Sequence, residues 1–549
     1  MGKRKSKKGA NLILQGGVMA VALFVVHLCI CLRQIPLTNI WGDEGNSMYS
    51  AAFGLFSIAW LITSYAVPYT ISFLLKPRLK QGQYKNAGKV IQAAFLYATI
   101  LGAGIGAAVF FGSTYLAETV MLEPLSALSL QIFSIAILAS AWSSVLRGFF
   151  LGNGASFPVA LSLLVEQIVS LAAGFPLALA CQKYGGKVGS LLQNESFSSS
   201  FAAAGFSAGI AAGAVLSFLL LLLLYLATHS YYKKRNGKDS GRGRESMVQV
   251  VSIFFACLLP MMLYGLFVKG YLLIEQILFR QFMSGSLGAD LISQQWGVYF
   301  GKYKVFTALP VILAAAMVTT LRDKAYILSR KEDYQHMQEF VRSVLQAVMT
   351  AVAPVSVMLG ALAALLLKAC FPAQDAEEGA VMLLLGCITA IFFSAAYVFA
   401  QTLWGMKRTM LLLACVFPAF LVHAGALYVM LEILHLDILG VLYADIVYSF
   451  CLFVFLMAAV RKSCRFRYGL LRMYVPIGIA AAVMGLILYF LAKALGGVPA
   501  PAALIVLVLL GTVIYYAVLL LLHGISQREL RMIPGGKWII KAARAVRLL

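Results

Sequence analysis

The sequence predicts an all-α, polytopic membrane protein with about fourteen transmembrane helices. First, 61% of the 549 residues are hydrophobic and 12% are charged, which is more apolar surface than a soluble core can bury. Second, uninterrupted apolar runs such as 211–227, 381–400 and 502–522 approach the roughly 20 residues that a helix needs to cross a bilayer. Transmembrane β-strands would instead alternate polar and apolar residues over about ten positions, which excludes a barrel.

The apolar blocks, taken in order, define the predicted spans. The first block follows Lys3, Arg4 and Lys5 and has no small-residue cleavage pattern, so we interpret it as an anchor that is retained, not as a cleaved signal peptide. The predicted spans lie near 11–36, 48–75, 90–113, 127–149, 158–181, 204–228, 249–279, 295–320, 341–369, 379–404, 409–432, 438–460, 472–494 and 502–523.

The basic residues indicate the topology. With the N-terminus in the cytoplasm, about 35 of the 44 Lys and Arg residues fall in cytoplasmic segments, as the positive-inside rule requires. We therefore expect a cell-membrane protein with both termini in the cytoplasm. The net charge of +23 is explained by this topology and by contact with anionic membrane lipids, so nucleic acid is not an expected partner.

The order of the spans suggests an internal repeat. The longest cytoplasmic connection is charged and glycine-rich, and a polar segment containing a tyrosine, Tyr84 or Tyr334, precedes the third span of each half. We predict six helices, repeated once, with two more added. The predicted domains are a six-helix lobe at 1–228, a basic linker at 229–247, a second six-helix lobe at 248–460, helices 13 and 14 at 461–524, and a basic amphipathic tail at 525–549.

Motifs for enzymatic or metal chemistry are missing from the sequence. The nine cysteines are odd in number and scattered through apolar segments, so they predict neither a disulfide framework nor a metal site. No phosphate-binding glycine loop or nucleophile motif is found, and the loops are too short for a soluble catalytic domain. We expect a protein that is not an enzyme and has no bound cofactor or metal.

Ionisable residues at membrane depth are the first candidates for function, because burying them is costly. Arg33 ends span 1, and Lys302 begins span 8. In span 7, Lys269 and Arg280 are eleven residues apart, so both can face one side of the helix at a distance of about 16 Å. A cationic cavity between the two halves would suit a pyrophosphate or another anionic headgroup. The alternative is that such cations reach outward to external lipid phosphates, the interpretation that we prefer for Lys304, Lys368 and Lys493.

Other residues could help to move or hold a substrate. Glu275 in span 7 could neutralise a nearby cation or hold a coupling cation such as Na+ or H+. Pro36 and Pro68 fall at or within spans and predict kinks, which would fit alternating access but are also common in membrane helices.

Several stretches resemble the SpoVB and YtgP polysaccharide-biosynthesis family over essentially the whole chain. They are Ile-Pro-Leu-Thr-Asn-Ile at 35–40, Gly42, Asp43, Glu44, Gly45, Tyr49, Pro68, Arg147-Gly148-Phe149, Glu166-Gln167-Ile168-Val169, Gly297, Tyr299 and Pro310. The family is grouped with the lipid II flippase MurJ in a superfamily of multidrug and oligosaccharidyl-lipid exporters. The resemblance implies a MATE-like fold of two six-helix lobes around a cavity, with helices 13 and 14 forming a groove for a lipid tail.

The resemblance also implies a function. It implies a flippase that moves an undecaprenyl-pyrophosphate-linked sugar, above all the peptidoglycan precursor lipid II, to the outer leaflet by alternating access. The expected roles are headgroup binding by Arg33, Lys269, Arg280 and Lys302, coupling-ion binding or ion pairing by Glu275 and Glu166, and gating by Pro36, Asp43, Glu44 and Pro68. We expect a monomer that could contact cell-envelope synthesis proteins.

The sequence departs from the family pattern in three places, one of which is the end of span 8, where 317–322 lacks the usual Pro and Ser of a second gating kink. Here Gln34 precedes Ile-Pro-Leu and Arg33 stands one place earlier, about 100° around a helix, so its direction toward a cavity is open. Glu275 stands where relatives have aspartate, which keeps a carboxylate.

Four alternative functions stay open on the sequence. The chain could export another lipid-linked polysaccharide unit, or be a MATE-like small-molecule antiporter, which would need acidic residues deep in the cavity. It could instead be a scaffold for envelope synthesis that transports nothing, or a membrane-embedded glycosyltransferase, for which Asp43 and Glu44 would be thin support.

Overall fold

The computed structural model describes residues 17–236, 239, 243–464, 470–495 and 498–545. All regular elements within these ranges are helices, which confirms the predicted fold class. Thirteen helical segments among the described residues are long and apolar enough to cross a membrane, and the first, Gly17–Lys80, has 64 residues, enough for two crossings. The chain is therefore a multi-pass membrane protein, and the segments accommodate the fourteen predicted spans. The basic residues 3–8 lie outside the described residues.

The helices follow one another with short connections. In chain order they are α1 (Gly17–Leu32), α2 (Gln34–Trp60), α3 (Val67–Lys80), α4 (Tyr84–Phe111), α5 (Ala127–Gly152), α6 (Phe157–Leu192), α7 (Ser196–Asn236), α8 (Met247–Lys269), α9 (Tyr271–Met283), α10 (Ala289–Val298), α11 (Val305–Met317), α12 (Leu321–Arg330), α13 (Tyr334–Ala361), α14 (Ala363–Cys370), α15 (Glu377–Gly405), α16 (Thr409–Tyr428), α17 (Ile438–Cys464), α18 (Leu470–Ala494), α19 (Ala500–Leu521), α20 (Gln527–Leu530) and α21 (Gly536–Ala545). Wider π turns interrupt the series at Leu61–Tyr65, Leu116–Val120, Tyr299–Lys304 and Val429–Ile433.

The chain divides into two compact units. The middle unit is Pro36–Phe300, and the terminal unit combines Met1–Ile35 with Gly301–Leu549. These boundaries differ from those of the predicted lobes, which joined at the linker 229–247. The predicted lobes therefore stay a prediction.

The core of the middle unit is aromatic. Phe56 of α2 stacks on Phe133 of α5 with ring centroids 4.7 Å apart, and Tyr49 and Phe206 of α7 pack beside them. Glycines bring α6 and α7 together: a Cβ added to Gly209 would lie 2.3 Å from the Cα of Gly174. Small residues at such positions let membrane helices approach closely. This packing holds in place the helices on which the polar residues described below lie.

The predicted loop between spans 1 and 2 is helical. Helix α2 runs through it and is bent at Gly42, whose φ of 72° lies in the left-handed region that glycine adopts without strain. The side chains of Thr38 and Trp41 donate hydrogen bonds to Asn46 Oδ1 at 3.0 and 2.8 Å. A bent helix with internally satisfied polar groups thus replaces a solvated loop, and hydropathy alone could not distinguish the two.

Part of the predicted linker is docked onto the middle unit. Arg78 of α3 forms a bidentate ion pair with Glu245, with nitrogen–oxygen distances of 2.8 to 3.0 Å. Asn86 of α4 donates to the carbonyl of Gly243 at 2.7 Å and accepts from the backbone N–H of Glu245 at 3.2 Å. Ser246 then caps α8 in a capping box with Gln249. The end of the linker is therefore an ordered contact and not a free joint.

The terminal unit packs α11, α13, α15 and α17 around buried aliphatic side chains. Val348, Val398 and Val441 are fully buried there. A Cβ on Gly386 of α15 would lie 2.3 Å from the Tyr303 ring, so the missing side chain lets that ring approach the helix. The tail contains the helices α20 and α21, and its assignment as a separate basic amphipathic segment stays a prediction.

Candidate functional site

Arg280 lies at the centre of a buried polar network in the middle unit. Its side chain forms an ion pair with Glu123 and donates to the Leu122 carbonyl at 2.7 Å. It also donates to Ser47 Oγ at 2.6 Å and Ser293 Oγ at 3.1 Å. Arg280 and Glu123 are 3% and 6% exposed, so the predicted cavity cation is neutralised by a carboxylate of its own unit.

The same region holds a second set of buried hydrogen bonds. Gln276 and Trp296 both donate to Ser50 Oγ, at 3.0 and 2.9 Å. Glu275, which is fully buried, accepts a hydrogen bond from the Tyr299 hydroxyl at 3.0 Å. The predicted carboxylate of span 7 therefore faces the interior of the middle unit.

Lys269 and Arg280 contact different partners. Predicted span 7 is divided at Gly270 into α8 and α9, so the two cations lie on separate helices. The Lys269 ammonium lies 4.8 Å from the centroid of the Tyr65 ring, an exposed cation–π contact. The two cations therefore have different partners, and their shared role in headgroup binding stays a prediction.

Glu166 takes part in an ion pair. Arg147 of α5 pairs with it and donates to Ser162 Oγ at 3.1 Å and Ser217 Oγ at 2.9 Å. Three helices, α5, α6 and α7, contribute to this cluster. Of the two roles expected for Glu166, the contacts fit ion pairing.

The predicted gating residues lie at helix ends and bends. Pro36 is in the first turn of α2, and Pro68 in the first turn of α3, directly after the π turn Leu61–Tyr65. Asp43 and Glu44 follow the Gly42 bend. A Cβ on Gly297 would lie 1.8 Å from the Asp43 carbonyl oxygen, so the two backbones meet closely there.

In the terminal unit, Arg33 and Lys302 are both buried. Arg33 is 8% exposed and lies at the turn between α1 and α2. Lys302 is fully buried; its ammonium donates to the Asp375 carbonyl at 3.1 Å and lies 5.6 Å from the Phe371 ring centroid. Both cations are thus held within protein, and neither reaches outward as the lipid-phosphate alternative required.

Lys304 and Asp445 form a buried ion pair that the sequence did not predict. The Lys304 ammonium lies 2.8 Å from Asp445 Oδ2, and the Tyr303 hydroxyl donates to the same oxygen at 3.0 Å. The Tyr303 hydroxyl also lies 3.1 Å from Thr389 Oγ1. Asp445 is 1% exposed, so the outward orientation preferred for Lys304 is wrong.

Two carboxylates were therefore missed, for different reasons. Asp445 is the eighth residue of the apolar helix α17, and the rule that flagged the buried cations should have flagged it as well. Glu123 lies between predicted spans 3 and 4, where a solvated loop was expected. Among the described residues, no three His, Cys, Asp or Glu side chains come together as a metal site.

The terminal unit also contains an apolar groove of about 340 Å³. Pro354, Met358 and Leu362 line it from α13 and the turn that follows, and Val508 and Tyr516 line it from α19. Pro534, between α20 and α21, completes it. None of the described lining residues is charged. The groove differs from the predicted one: predicted span 14, which is α19, lines it, but predicted span 13, which is α18, contributes none of the described lining residues, and α13, which is predicted span 9, takes its place.

Comparison with known proteins shows the fold and a partial sequence relationship. No family model matches the chain. The chain is 25% identical to stage V sporulation protein B of Bacillus subtilis over 171 residues, which are 31% of this chain and 32% of that protein. This match confirms the predicted resemblance, although the chain matches only about a third of the length of that relative.

The solved structures extend the likeness to most of the chain. The lipid II flippase MurJ, in an inward closed conformation, matches with a TM-score of 0.61 at 13% identity, covering 91% of this chain and 97% of MurJ. An inward-facing multidrug resistance MATE family transporter of the MOP superfamily matches with a TM-score of 0.60 at 13% identity, covering 80% of this chain and 98% of the transporter. The MATE-like fold is therefore confirmed.

Proposed function

Because the chain has the fold of MurJ and the MATE transporters, we propose that it is a flippase for a lipid-linked precursor. The substrate that we propose is an undecaprenyl-pyrophosphate-linked sugar, with lipid II as the first candidate, carried from the inner to the outer leaflet by alternating access. The termini would lie in the cytoplasm, and one copy would suffice for transport.

The apolar groove of the terminal unit carries this proposal. A polyprenyl chain offers only hydrocarbon, and burial of apolar surface contributes roughly 25 cal/mol per Å². The groove walls are aliphatic and aromatic, and the hydroxyl of Thr512, one of the few polar lining groups, already donates to the Val508 carbonyl at 2.8 Å. A charged, water-soluble substrate would find no counter-ion among these walls.

The extent of the structural matches supports a lipid substrate over a soluble one. The MATE transporter is matched almost completely, yet a fifth of this chain lies outside the match, whereas the MurJ match reaches 91% of the chain. Helix α19 supplies much of the groove. A groove built on C-terminal helices suits a substrate with a long apolar chain.

A coupling cation, Na+ or H+, forms part of the proposal. Glu275 is the candidate that we favour, because it is fully buried and a neutral hydroxyl, that of Tyr299, donates to it. Glu166, the second candidate, forms an ion pair with Arg147.

Depletion of the resident lipid II flippase in a bacterial host tests the function. We expect this chain to restore growth and to make lipid II accessible at the outer leaflet. Membrane insertion of the expressed chain is checked in the same cells, with the empty vector as a control.

Failure of a well-inserted protein would contradict lipid II transport. Efflux of a cationic dye by the same cells would then favour the small-molecule antiporter, and growth without accessible lipid II would favour the scaffold. Vesicles that contain other polyprenyl-linked glycans would test export of a different polysaccharide unit.

A further inference from the structure

The C-terminal tail is built onto the end of the groove. Ile533 and Pro534, in the turn between α20 and α21, are lining residues of the groove. Leu530 is fully buried, and Ile533 and Ile540 are 3% and 7% exposed. The tail is therefore a packed part of the terminal unit, not a helix that only rests on the membrane surface.

The outward side of α21 is basic. Lys537, Trp538, Lys541 and Arg544 occupy positions i, i+1, i+4 and i+7, which share one side of a helix, and all four are exposed. Residues 530–545 contain no Asp or Glu. Arg544 donates to Gln527 Oε1 at 3.0 Å, whereas the ammonium groups of Lys537 and Lys541 have no hydrogen bond or ion pair with the described residues. Two cations on a fixed helix are thus available to an anion.

These cations lie near the groove because they are close in sequence to its lining residues. Lys537 is three residues from the lining residue Pro534, which limits the separation of their Cα atoms to about 11 Å. Arg531, also exposed, stands three residues before Pro534. The lining residues of the tail are therefore flanked by positive charge on both sides.

We propose that the tail binds the pyrophosphate of a polyprenyl-linked lipid whose hydrocarbon chain occupies the groove. This inference rests on the proposed function and adds the tail cations to the cavity cations that are expected to bind the headgroup. A pyrophosphate carries several negative charges close together, which suits clustered cations. A phospholipid usually carries two acyl chains and a single phosphate, so it matches one apolar groove of about 340 Å³ beside several cations less well.

Binding to the full-length protein in neutral phosphatidylcholine nanodiscs tests the proposal. The probes are undecaprenyl pyrophosphate and the uncharged undecaprenol, and the signal is the fluorescence of Trp538, which is 74% exposed. The variant Trp538→Phe identifies the part of the signal that arises at the tail. We expect the wild type to bind the pyrophosphate about tenfold or more tightly than the alcohol, since each nearby cation favours an anionic lipid by about 1 kcal/mol.

The double variant Lys537→Gln/Lys541→Gln should lose most of this preference and still bind undecaprenol. Lys368→Gln/Lys493→Gln is the matched control, because it removes the same charge from two other exposed lysines of the terminal unit and should keep the preference. The uncharged probe shows whether the groove of each variant is intact.

Three results would overturn the inference. They are equal affinities for the two probes in the wild type, an unchanged preference in the tail variant, and complete loss of the preference when phosphatidylglycerol is added, which would make the tail a general anionic-lipid surface. Flipping by the wild type is measured separately in vesicles. If the wild type prefers the pyrophosphate but does not flip lipid, the result counts against the proposed function. If it flips lipid without that preference, the result counts against pyrophosphate binding by the tail.

Discussion

At the scale of residues, several buried or partly buried cations in the described part of the chain pair with a carboxylate. Arg280 pairs with Glu123, Arg147 with Glu166 and Lys304 with Asp445, each within one compact unit. Removing one member of a buried pair leaves the other charge uncompensated and costs about 3–5 kcal/mol, whereas replacing both can be neutral. Each charged residue of a pair is therefore stable in the protein interior only while its partner is present.

The Lys304–Asp445 pair offers a direct test. Lys304→Met should leave the Asp445 carboxylate without its counter-ion and lower the thermal unfolding midpoint in detergent. The double variant Lys304→Met/Asp445→Asn should recover most of the loss, because the neutral amide no longer requires a cation.

Lys368→Met is the control, since it removes an exposed lysine from the same unit and should change the midpoint little. Equal midpoints for Lys304→Met and the wild type would show that the pair contributes nothing to stability.

Part of this residue-level arrangement could be predicted from the sequence. A charge inside an apolar block is visible in the sequence, which is why Arg33, Lys269, Glu275, Arg280 and Lys302 were found. The partner of Arg280 was missed because Glu123 belongs to a connection, and sequence spacing does not show which connection folds back onto a helix. Pairing across the chain is a property of tertiary structure.

At the scale of elements, α6 and α7 illustrate how closely membrane helices can pack. Added Cβ atoms at Gly205, Gly209 and Gly213 would all lie within 2.6 Å of atoms of α6. Without a hydrophobic driving force between helices in lipid, such close packing is a main source of their association.

Gly209→Ala should weaken this helix pair. The added methyl group would meet the Gly174 backbone, which cannot yield as a flexible side chain can, so we expect a lower unfolding midpoint and reduced yield. Gly186→Ala in α6 is the matched control, because an added Cβ there has no atom within 4 Å. A loss of equal size in both variants would point to a general effect of glycine replacement.

The element boundaries show where hydropathy stops being informative. It located the apolar part of each span, but α6 has 36 residues and α7 has 41, both longer than the roughly 20 needed to cross the bilayer. The segment 182–200, predicted as a loop, is therefore mostly helix. Helix propensity and packing extend these helices beyond their apolar blocks. Hydropathy averaged over a window of residues reports neither of them.

At the scale of the whole molecule, the predicted substrate-binding cations are distributed over two units. Arg33 and Lys302 belong to the terminal unit, and Lys269 and Arg280 to the middle unit. The fold class, the spans and the resemblance could all be predicted from composition, hydropathy and short motifs. The grouping of span 1 with the C-terminal part of the chain could not, since it depends on contacts between residues far apart in the sequence.

Single alanine variants separate headgroup binding from structural roles. We expect Arg33→Ala and Lys269→Ala to reduce lipid II transport while protein levels stay normal. Arg280→Ala should also reduce stability, because it exposes Glu123 to the cost of an unpaired buried charge. Transport and unfolding midpoints are measured on the same preparations, and unchanged transport in all three would exclude the predicted cationic site.

The docked end of the linker has a practical consequence for protein engineering. Arg78 and Asn86 hold Gly243 and Glu245, so a fluorescent protein or an affinity tag fused into the chain between Gly243 and Ser246 would disrupt the contacts of this segment with α3 and α4. A fusion point ahead of Asp239 keeps these hydrogen bonds. A reporter placed there would follow the protein in cells while the capping box and the Arg78–Glu245 ion pair stay in place.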